Sequence, residues 1–289
     1  GVGFQTEYDY VPPIELRPSL ETHRIAGLFH CGQLNGTSGY EEAAAQGLIA
    51  GINAARAVQG RAPLVLSRAQ AYIGVLVDDL VTKGVDEPYR MMSSRAEYRM
   101  TLRHDNADLR LSPLGHDVGL LPDGDFALFE ERRAHLERAS ARSRTIRIAR
   151  DATGGLGGAS VAEALRRPNV AFADVAQAFA TAGEPLDAAT GERIEIEMKL
   201  EGYLQRQELD IAKAARADAI RLREDFPYAA VTALSREARE KFARHRPASI
   251  GAAGRIPGIS PADVAVLSVY AQRDAAQRAP AEARQAVSP

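Results

Sequence analysis

Beyond the "GRAP" at residues 60–63, almost every apolar residue recurs at helical spacing, and this constrains the chain more than any other feature. Helices are predicted over 67–82, 93–103, 106–119, 125–147, 161–166, 171–181, 200–224, 236–245 and 261–273. The first is expected to start at Ser67 as N-cap, with Tyr72, Val75, Leu76 and Leu80 on one face. "RIEIEMKLEGYL" (193–204) alternates like a strand, but its straight-chain charged residues favour helix and it runs into a plainly helical segment. The residues from 278 on carry no apolar pattern and are expected to be a disordered tail.

Upstream of residue 62 the pattern is different. "VGFQTEYDYV" (2–11) alternates as a half-buried strand would, and "GLFHCG" (27–32) is a short apolar run bounded by glycines, read as a buried strand. A helix then spans 39–58, with Ser38 and Glu41 spaced for a capping box. The fold expected is therefore mixed: a small α/β part to residue 62, then an all-α region. We divide the latter into 63–200, with a linker near 150–160, and a C-terminal helical subdomain at 201–277. The segment 145–167 imitates a nucleotide-binding fingerprint, with Gly154, Gly155, Gly157 and Gly158 before a helix capped by Ser160. Its arginine-dense "ARSRTIRIAR" is unlike a buried parallel strand, so a flexible linker is the better reading.

The chain has 289 residues, 45% apolar and 26% charged, enough for one large or two modest cores. No run is long enough to span a membrane. A single cysteine, Cys31, excludes an internal disulfide and a cysteine-based metal cluster and suits a reducing compartment such as the cytoplasm. The six histidines lack metal-ligand spacing, so no metal site is expected. A net charge of −2 confines any nucleic-acid surface to a local patch. The chain opens on Gly1, directly into a strand-like run, which suggests a piece of a longer protein.

"GQLNGTSGYEE" (32–42) places Gly32, Gly36 and Gly39 between a predicted strand and a helix rich in alanine. That order of elements makes a cradle for an anion or a cofactor, since free N–H groups and the positive end of the helix dipole point out of it. It also fits an ordinary tight βα turn. Gly47 and Gly51 make a helix able to lie very close to a sheet.

"GLFHCGQLNGTSGYEEAAAQGLIAGINAAR", "YRMMSSRAEYRMTLRHDNADLRL", "EGYLQRQ" and "RPASIGAAGRIPGISPADVAVLSVY" resemble the MnmG (GidA) family, from residue 1 to about 275 and most weakly between about 140 and 190. The resemblance implies an FAD-dependent enzyme that modifies the wobble uridine of certain tRNAs with the GTPase MnmE. NADH and methylenetetrahydrofolate would be its co-substrates and a homodimer its full-length form. It covers the family's C-terminal half alone. The family's dinucleotide fingerprint and catalytic cysteines belong to the other half, so no catalytic residue is assigned here, and residues 1–62 would be the end of a Rossmann-type FAD domain. Cys31 does not match a catalytic position and is expected to be a small buried hydrophobe. The resemblance implies Gln33 as an FAD contact, with Gly32, Asn35, Gly36, Thr37, Ser38 and Gly39 as neighbours. The alternative is a stand-alone helical RNA- or protein-binding module without chemistry.

Arg95, Arg99 and Arg103, at i, i+4 and i+8 of the predicted 93–103 helix, would share one face, flanked by Arg90 and Arg110. A one-sided guanidinium row suits a phosphate backbone, and also an ordinary solvated face; the family's tRNA substrate favours the first. Seven arginines between 132 and 150 make the most basic stretch, a possible helper patch. "GRIPGISPADVAVL" (254–267) has helix-hairpin-helix character, with Ser260, Pro261 and Asp263 forming a helix start. The resemblance implies MnmE and tRNA binding by this C-terminal region.

Overall fold

The structure, a computed structural model, describes residues 8–150 and 155–285, with side chains to 276. It contains ten α-helices among the described residues: α1 Tyr40–Val58, α2 Tyr72–Asp78, α3 Ala107–Asp117, α4 Asp123–Ser143, α5 Val161–Leu165, α6 Phe172–Thr181, α7 Ala188–Ala219, α8 Arg236–His245, α9 Ile250–Arg255 and α10 Pro261–Gln285. They divide into two compact units, Gly1–Glu97 with Asp210–Pro289, and Tyr98–Leu209.

Where the helix starts rest on side-chain caps, the sequence reading holds. Ser160 Oγ accepts from Glu163 N at 3.2 Å while the Glu163 carboxylate accepts from Ser160 N at 2.7 Å, which opens α5. Ser260 and Asp263 open α10 in the same way, through Asp263 N to Ser260 Oγ at 3.1 Å. The ambiguous 193–204 segment lies within α7, with Ile194 and Met198 buried one turn apart on its core face. In the first unit, Ile250, Ile256 and Leu267 are buried and pack with Phe226, Tyr228 and Phe242. The second unit closes around Val161, Leu165, Phe172, Phe179, Ile194 and Met198.

Several expectations are corrected. No sheet forms among the described residues. Residues 27–32 give one isolated bridge, Glu21 to Phe29, and Gly27, Leu28 and Cys31 are exposed. An extended segment becomes a strand only when its N–H and C=O groups find a partner strand, and none is present here. Most of the 2–11 strand lies outside the described residues, and residues 8–10 are exposed coil. Cys31, expected to be buried, is exposed. Helix α1 begins at Tyr40 with Gly39 as N-cap, but Ser38 makes no cap bond. Ser67 starts a turn instead of a helix. The turn folds back on Gly74, whose missing Cβ leaves room for the Ser67 carbonyl, and α2 begins only at Tyr72 before widening into a π-turn over Asp79–Lys83.

The 93–103 helix does not form beyond the single turn Ser93–Arg95. Side chains take the backbone groups it would use: Thr101 N donates to Gln207 Oε1 at 3.1 Å, Asn106 Nδ2 donates to Thr101 O at 3.0 Å, and Arg103 Nη1 donates to Met100 O at 2.6 Å. On either side of residues 151–154, which lie outside the described residues, Ile146 and Ile148 are buried, Val161 N donates to Ile146 O at 3.0 Å and Ile148 N to Ala159 O at 2.9 Å. The tail expected to be disordered from 278 is helical to Gln285. Finally, no neighbour among the described residues approaches Gly47 or Gly51, and Tyr40, Leu48 and Val58 of α1 are exposed.

Candidate cofactor loop and arginine segment

The glycine loop is built around a residue that the sequence reading passed over. Gln46, one and a half turns into α1, is completely buried. Its Oε1 accepts from Gly32 N at 3.2 Å and Asn35 Nδ2 at 2.8 Å. Its Nε2 donates to Thr37 Oγ1 at 3.0 Å and to Glu42 O at 3.0 Å, and Thr37 Oγ1 in turn donates to Gly32 O at 2.9 Å. Both ends of the loop are thereby pinned to one amide. A long polar side chain on a helix otherwise faced with alanine and glycine was the available signal. Gly32–Asn35 form a 3-10 turn, and Gly36 follows at φ +80°, where a Cβ would meet Val85 and the Tyr10 ring.

A second segment straps this loop from outside. Tyr89 N donates to Gly36 O at 2.8 Å, and Thr37 pairs with Tyr89 in a parallel bridge. Tyr89 is fixed in turn by its hydroxyl, which donates to Asp79 Oδ2 at 2.9 Å, and by the Arg95 guanidinium, 4.3 Å above its ring. Asp79 Oδ1 lies 2.7 Å from Arg68 Nη1 and 2.6 Å from Lys83 Nζ. Burial alone would raise the Asp79 carboxyl, but Lys83 and Arg68 outweigh it and hold it below the usual carboxylate range. Burial and the Asp79 charge push the Tyr89 hydroxyl up, so it stays a donor.

Glu42, buried in the first turn of α1, accepts from Met91 N at 2.7 Å and from Arg90 Nε at 3.4 Å. Burial opposes its ionisation, and the Met91 and Arg90 donors overcome that and lower it. A Cβ at Gly39 would run into this carboxylate. Glu42, not Ser38, therefore answers the positive end of the α1 dipole. Gln33 and Ser38 stay exposed and line, with Tyr8, Tyr10, Thr37 and Pro88, a cleft of about 270 Å³. Away from that lining, Asn35 Oδ1 and Glu42 Oε2 are buried and have no hydrogen-bond partner among the described residues.

The arginines do not form a helical row. Arg90 and Arg95 belong to the first unit; Arg99, Arg103 and Arg110 to the second. Arg95 Nε donates to Arg90 O at 2.8 Å. Arg103 grips both Asp105 oxygens, at 2.9 and 3.0 Å, and Arg110 bonds Asn106 Oδ1 at 3.0 Å. Arg99 is exposed and makes no ion pair among the described residues. In the 132–150 stretch, Arg133, Arg142, Arg144 and Arg147 pair with Glu130, Glu184, Glu201 and Glu163, which neutralises much of its excess.

Among the described residues no group of histidines, cysteines or carboxylates could hold a metal ion, and no helix is long and apolar enough to cross a membrane.

Comparison with known proteins is consistent along the chain. The family profile described as "Glucose inhibited division protein A" matches residues 1–62, that of the "tRNA modifying enzyme MnmG/GidA C-terminal helical domain" matches 123–208, and that of the "C-terminal helical bundle" matches 210–289. The chain is 45% identical over 282 residues to a tRNA uridine 5-carboxymethylaminomethyl modification enzyme MnmG of Ligilactobacillus salivarius, covering 94% of this chain and 44% of that protein. It is 47% identical over 286 residues to the MnmG of Heliobacterium modesticaldum, covering 94% and 45%. It superposes on Aquifex aeolicus GidA in its form II crystal with a TM-score of 0.81 at 42% identity, over 91% of this chain and 43% of that one. The chain thus spans less than half the length of these relatives.

Proposed function

The chain belongs to the MnmG/GidA family, and from that premise we propose that it supplies the C-terminal part of an FAD-dependent enzyme that modifies the wobble uridine of tRNA together with the GTPase MnmE. The observation that carries the reading is the loop 32–39, locked from within by Gln46 and from outside by Tyr89, with its free polar groups turned to a cleft. The residues present fit one wall of a flavin site. Gln33 offers both a donor and an acceptor to the cleft, and Ser38 adds a hydroxyl.

Because Glu42 already answers the α1 dipole with a negative charge, we assign this wall to a polar edge of the flavin ring and not to the pyrophosphate. Bound flavin would supply redox chemistry, with NADH as reductant and methylenetetrahydrofolate as the one-carbon source; the loop would orient the ring and shield it from water. Arg99, Arg95 and Arg103, flanked by Arg90 and Arg110, are proposed as tRNA phosphate contacts, now as separate groups, of which Arg90, Arg95 and Arg99 are exposed and Arg103 and Arg110 half-buried. The helical subdomain from 210 is proposed as the MnmE-facing part, and the longer protein as a homodimer.

The test is flavin content in a protein of the relatives' full length. Gln33→Ala should lower the flavin bound per polypeptide without moving the unfolding temperature of the polypeptide. Unchanged occupancy would remove Gln33 from the site. The 289-residue chain alone, with one wall only, should bind no flavin.

A further inference from the structure

The first unit holds a second, larger cavity of about 480 Å³, walled by the Arg17–His23 segment, the Arg68 turn, the end of α2 and its π-turn, and residues 218–255. This volume is in the range that small-molecule sites occupy. Its wall mixes apolar side chains such as Leu16, Val77 and Leu222 with charged ones, and most of the charge is spent on the fold. Arg68 is compensated by Asp78, Asp79 and Glu97, and Arg255 by Asp78 and Asp218. Arg17 meets Glu21 at 3.2 Å and Glu224 at 2.8 Å.

Two cations are left over. Arg221 and Arg246 line the same cavity, are exposed to solvent, and make no ion pair among the described residues. Arg246 is held there by a backbone in the left-handed region, at φ 45°, where it terminates α8 by donating its N–H to Phe242 O at 2.9 Å. A residue other than glycine adopts that conformation at a cost, and here it aims the chain, and with it a guanidinium, at the cavity. Burial lowers His23; Glu224 pulls it the other way, and Arg17 and Arg246 add to the lowering. Arg221 and Arg246 thus place two guanidinium groups without an ion pair among the described residues on a partly open cleft.

We propose that this cavity is an anion-binding site for a small phosphorylated molecule, with Arg221 and Arg246 gripping the phosphate and Arg17 and His23 at its back wall. Guanidinium forks match phosphate oxygens two at a time, and a concave site favours a small ligand over an extended polymer. Glu224 is held by Arg17 and lies 3.5 Å from His23 Nδ1, on the same wall. It is the acid an incoming phosphate would compete with.

Inorganic pyrophosphate titrated into the full chain by calorimetry, at constant ionic strength set with chloride, tests this. One site per chain is expected. Arg221→Gln with Arg246→Gln should weaken binding by about tenfold or more, with the unfolding temperature without ligand unchanged because both side chains are exposed. Glu224→Gln should act in the opposite sense and tighten binding, since it frees Arg17 and removes a repelling charge. No heat beyond the chloride control, or binding that survives the double variant, or weaker binding in Glu224→Gln, would overturn the proposal. A short single-stranded RNA that displaces pyrophosphate at lower phosphate concentration would overturn its small-molecule part and assign the arginines to RNA.

Discussion

The loop at 32–47 and the arginine segment at 90–110 are both rich in polar side chains, and they are stabilised in opposite ways. In the loop, the polar groups are buried and the bonds that lock it span many residues, from Gln46 back to Gly32 and from Tyr89 across to Gly36. In the arginine segment beyond Met92, the bonds are mostly local, Arg103 to Asp105 or Arg110 to Asn106, and lie nearer the surface. Buried polar groups must be paired, so the loop has one solution. Surface guanidiniums can pair with whatever is nearest, so the arginine segment abandons the helix that its spacing suggests.

The contrast predicts a gradient of sensitivity. Arg68 should sit at its top, because its guanidinium is 7% exposed and joins Asp78, Asp79 and Glu97 behind the Tyr89 strap. Arg68→Ala leaves the buried Asp79 with Lys83 and the Tyr89 hydroxyl, and should cost about 3–5 kcal/mol in urea unfolding. A cost near that of a surface substitution would show that the network is solvated and the contrast overstated.

Gln46→Leu comes next. It removes the acceptor of Gly32 N and Asn35 Nδ2 and the donor to Thr37, and should cost about 2–4 kcal/mol. In a protein of the relatives' length it should also reduce flavin retention, through the loop and not through contact. Loss of stability with intact flavin binding would break the link between the locked loop and the cofactor.

How much of this was legible depended on range. Ser160, and Ser260 with Asp263, were readable because a side-chain cap is complete within four residues, although Ser38 with Glu41 has the same spacing and makes no cap bond. The alternation in 193–204 could be overruled because straight-chain charged residues favour helix locally. Asp79 and Tyr89 were not readable, since Arg68 and Gly36 are distant in sequence; Gln46 left one sign, a long polar side chain on a helix faced with alanine and glycine. The 93–103 helix was misread for a related reason. Spacing alone says which residues would share a face if a helix formed, but the bonds that prevent the helix come from Asn106 and Gln207.

Acid should separate the two regions by a smaller effect. His23 and His245 are lowered chiefly by burial, so the unfolded chain binds protons that the folded one refuses. Stability should therefore begin to fall as pH drops below about 6.5. Asp79 and Glu42 are also lowered, and their contribution is present above about pH 4 and lost as pH falls through their folded values. Unfolding free energy followed from pH 7 to 3 should show both declines. With His23→Gln and His245→Gln together the first should vanish and the second remain; a surviving first decline would place that linkage on other groups.

The smallest effect on stability is expected in the arginines themselves, and there the functional reading is exposed to its own test. Arg103 is bidentate to Asp105 and Arg95 rests on Tyr89, so each has a structural use, while Arg99 has no ion pair. Exposed pairs of this kind contribute at most about 1 kcal/mol. Arg99→Gln should leave the unfolding temperature unchanged, and if Arg99 contacts phosphate, it should lower the slope of log tRNA affinity against log salt by roughly 0.7–0.9 in the longer protein. Cognate and non-cognate tRNAs should weaken alike, because backbone contacts carry no direct sequence information. Replacing Arg95, Arg99 and Arg103 together then counts the contacts. A slope change about three times that of Arg99 alone means that Arg95 and Arg103 leave their local partners to bind RNA. A change no larger than that of Arg99 alone means that they stay with Tyr89 and Asp105, and the segment holds one phosphate contact and two structural arginines. No change in slope in a stably folded triple variant would remove all three from the tRNA surface.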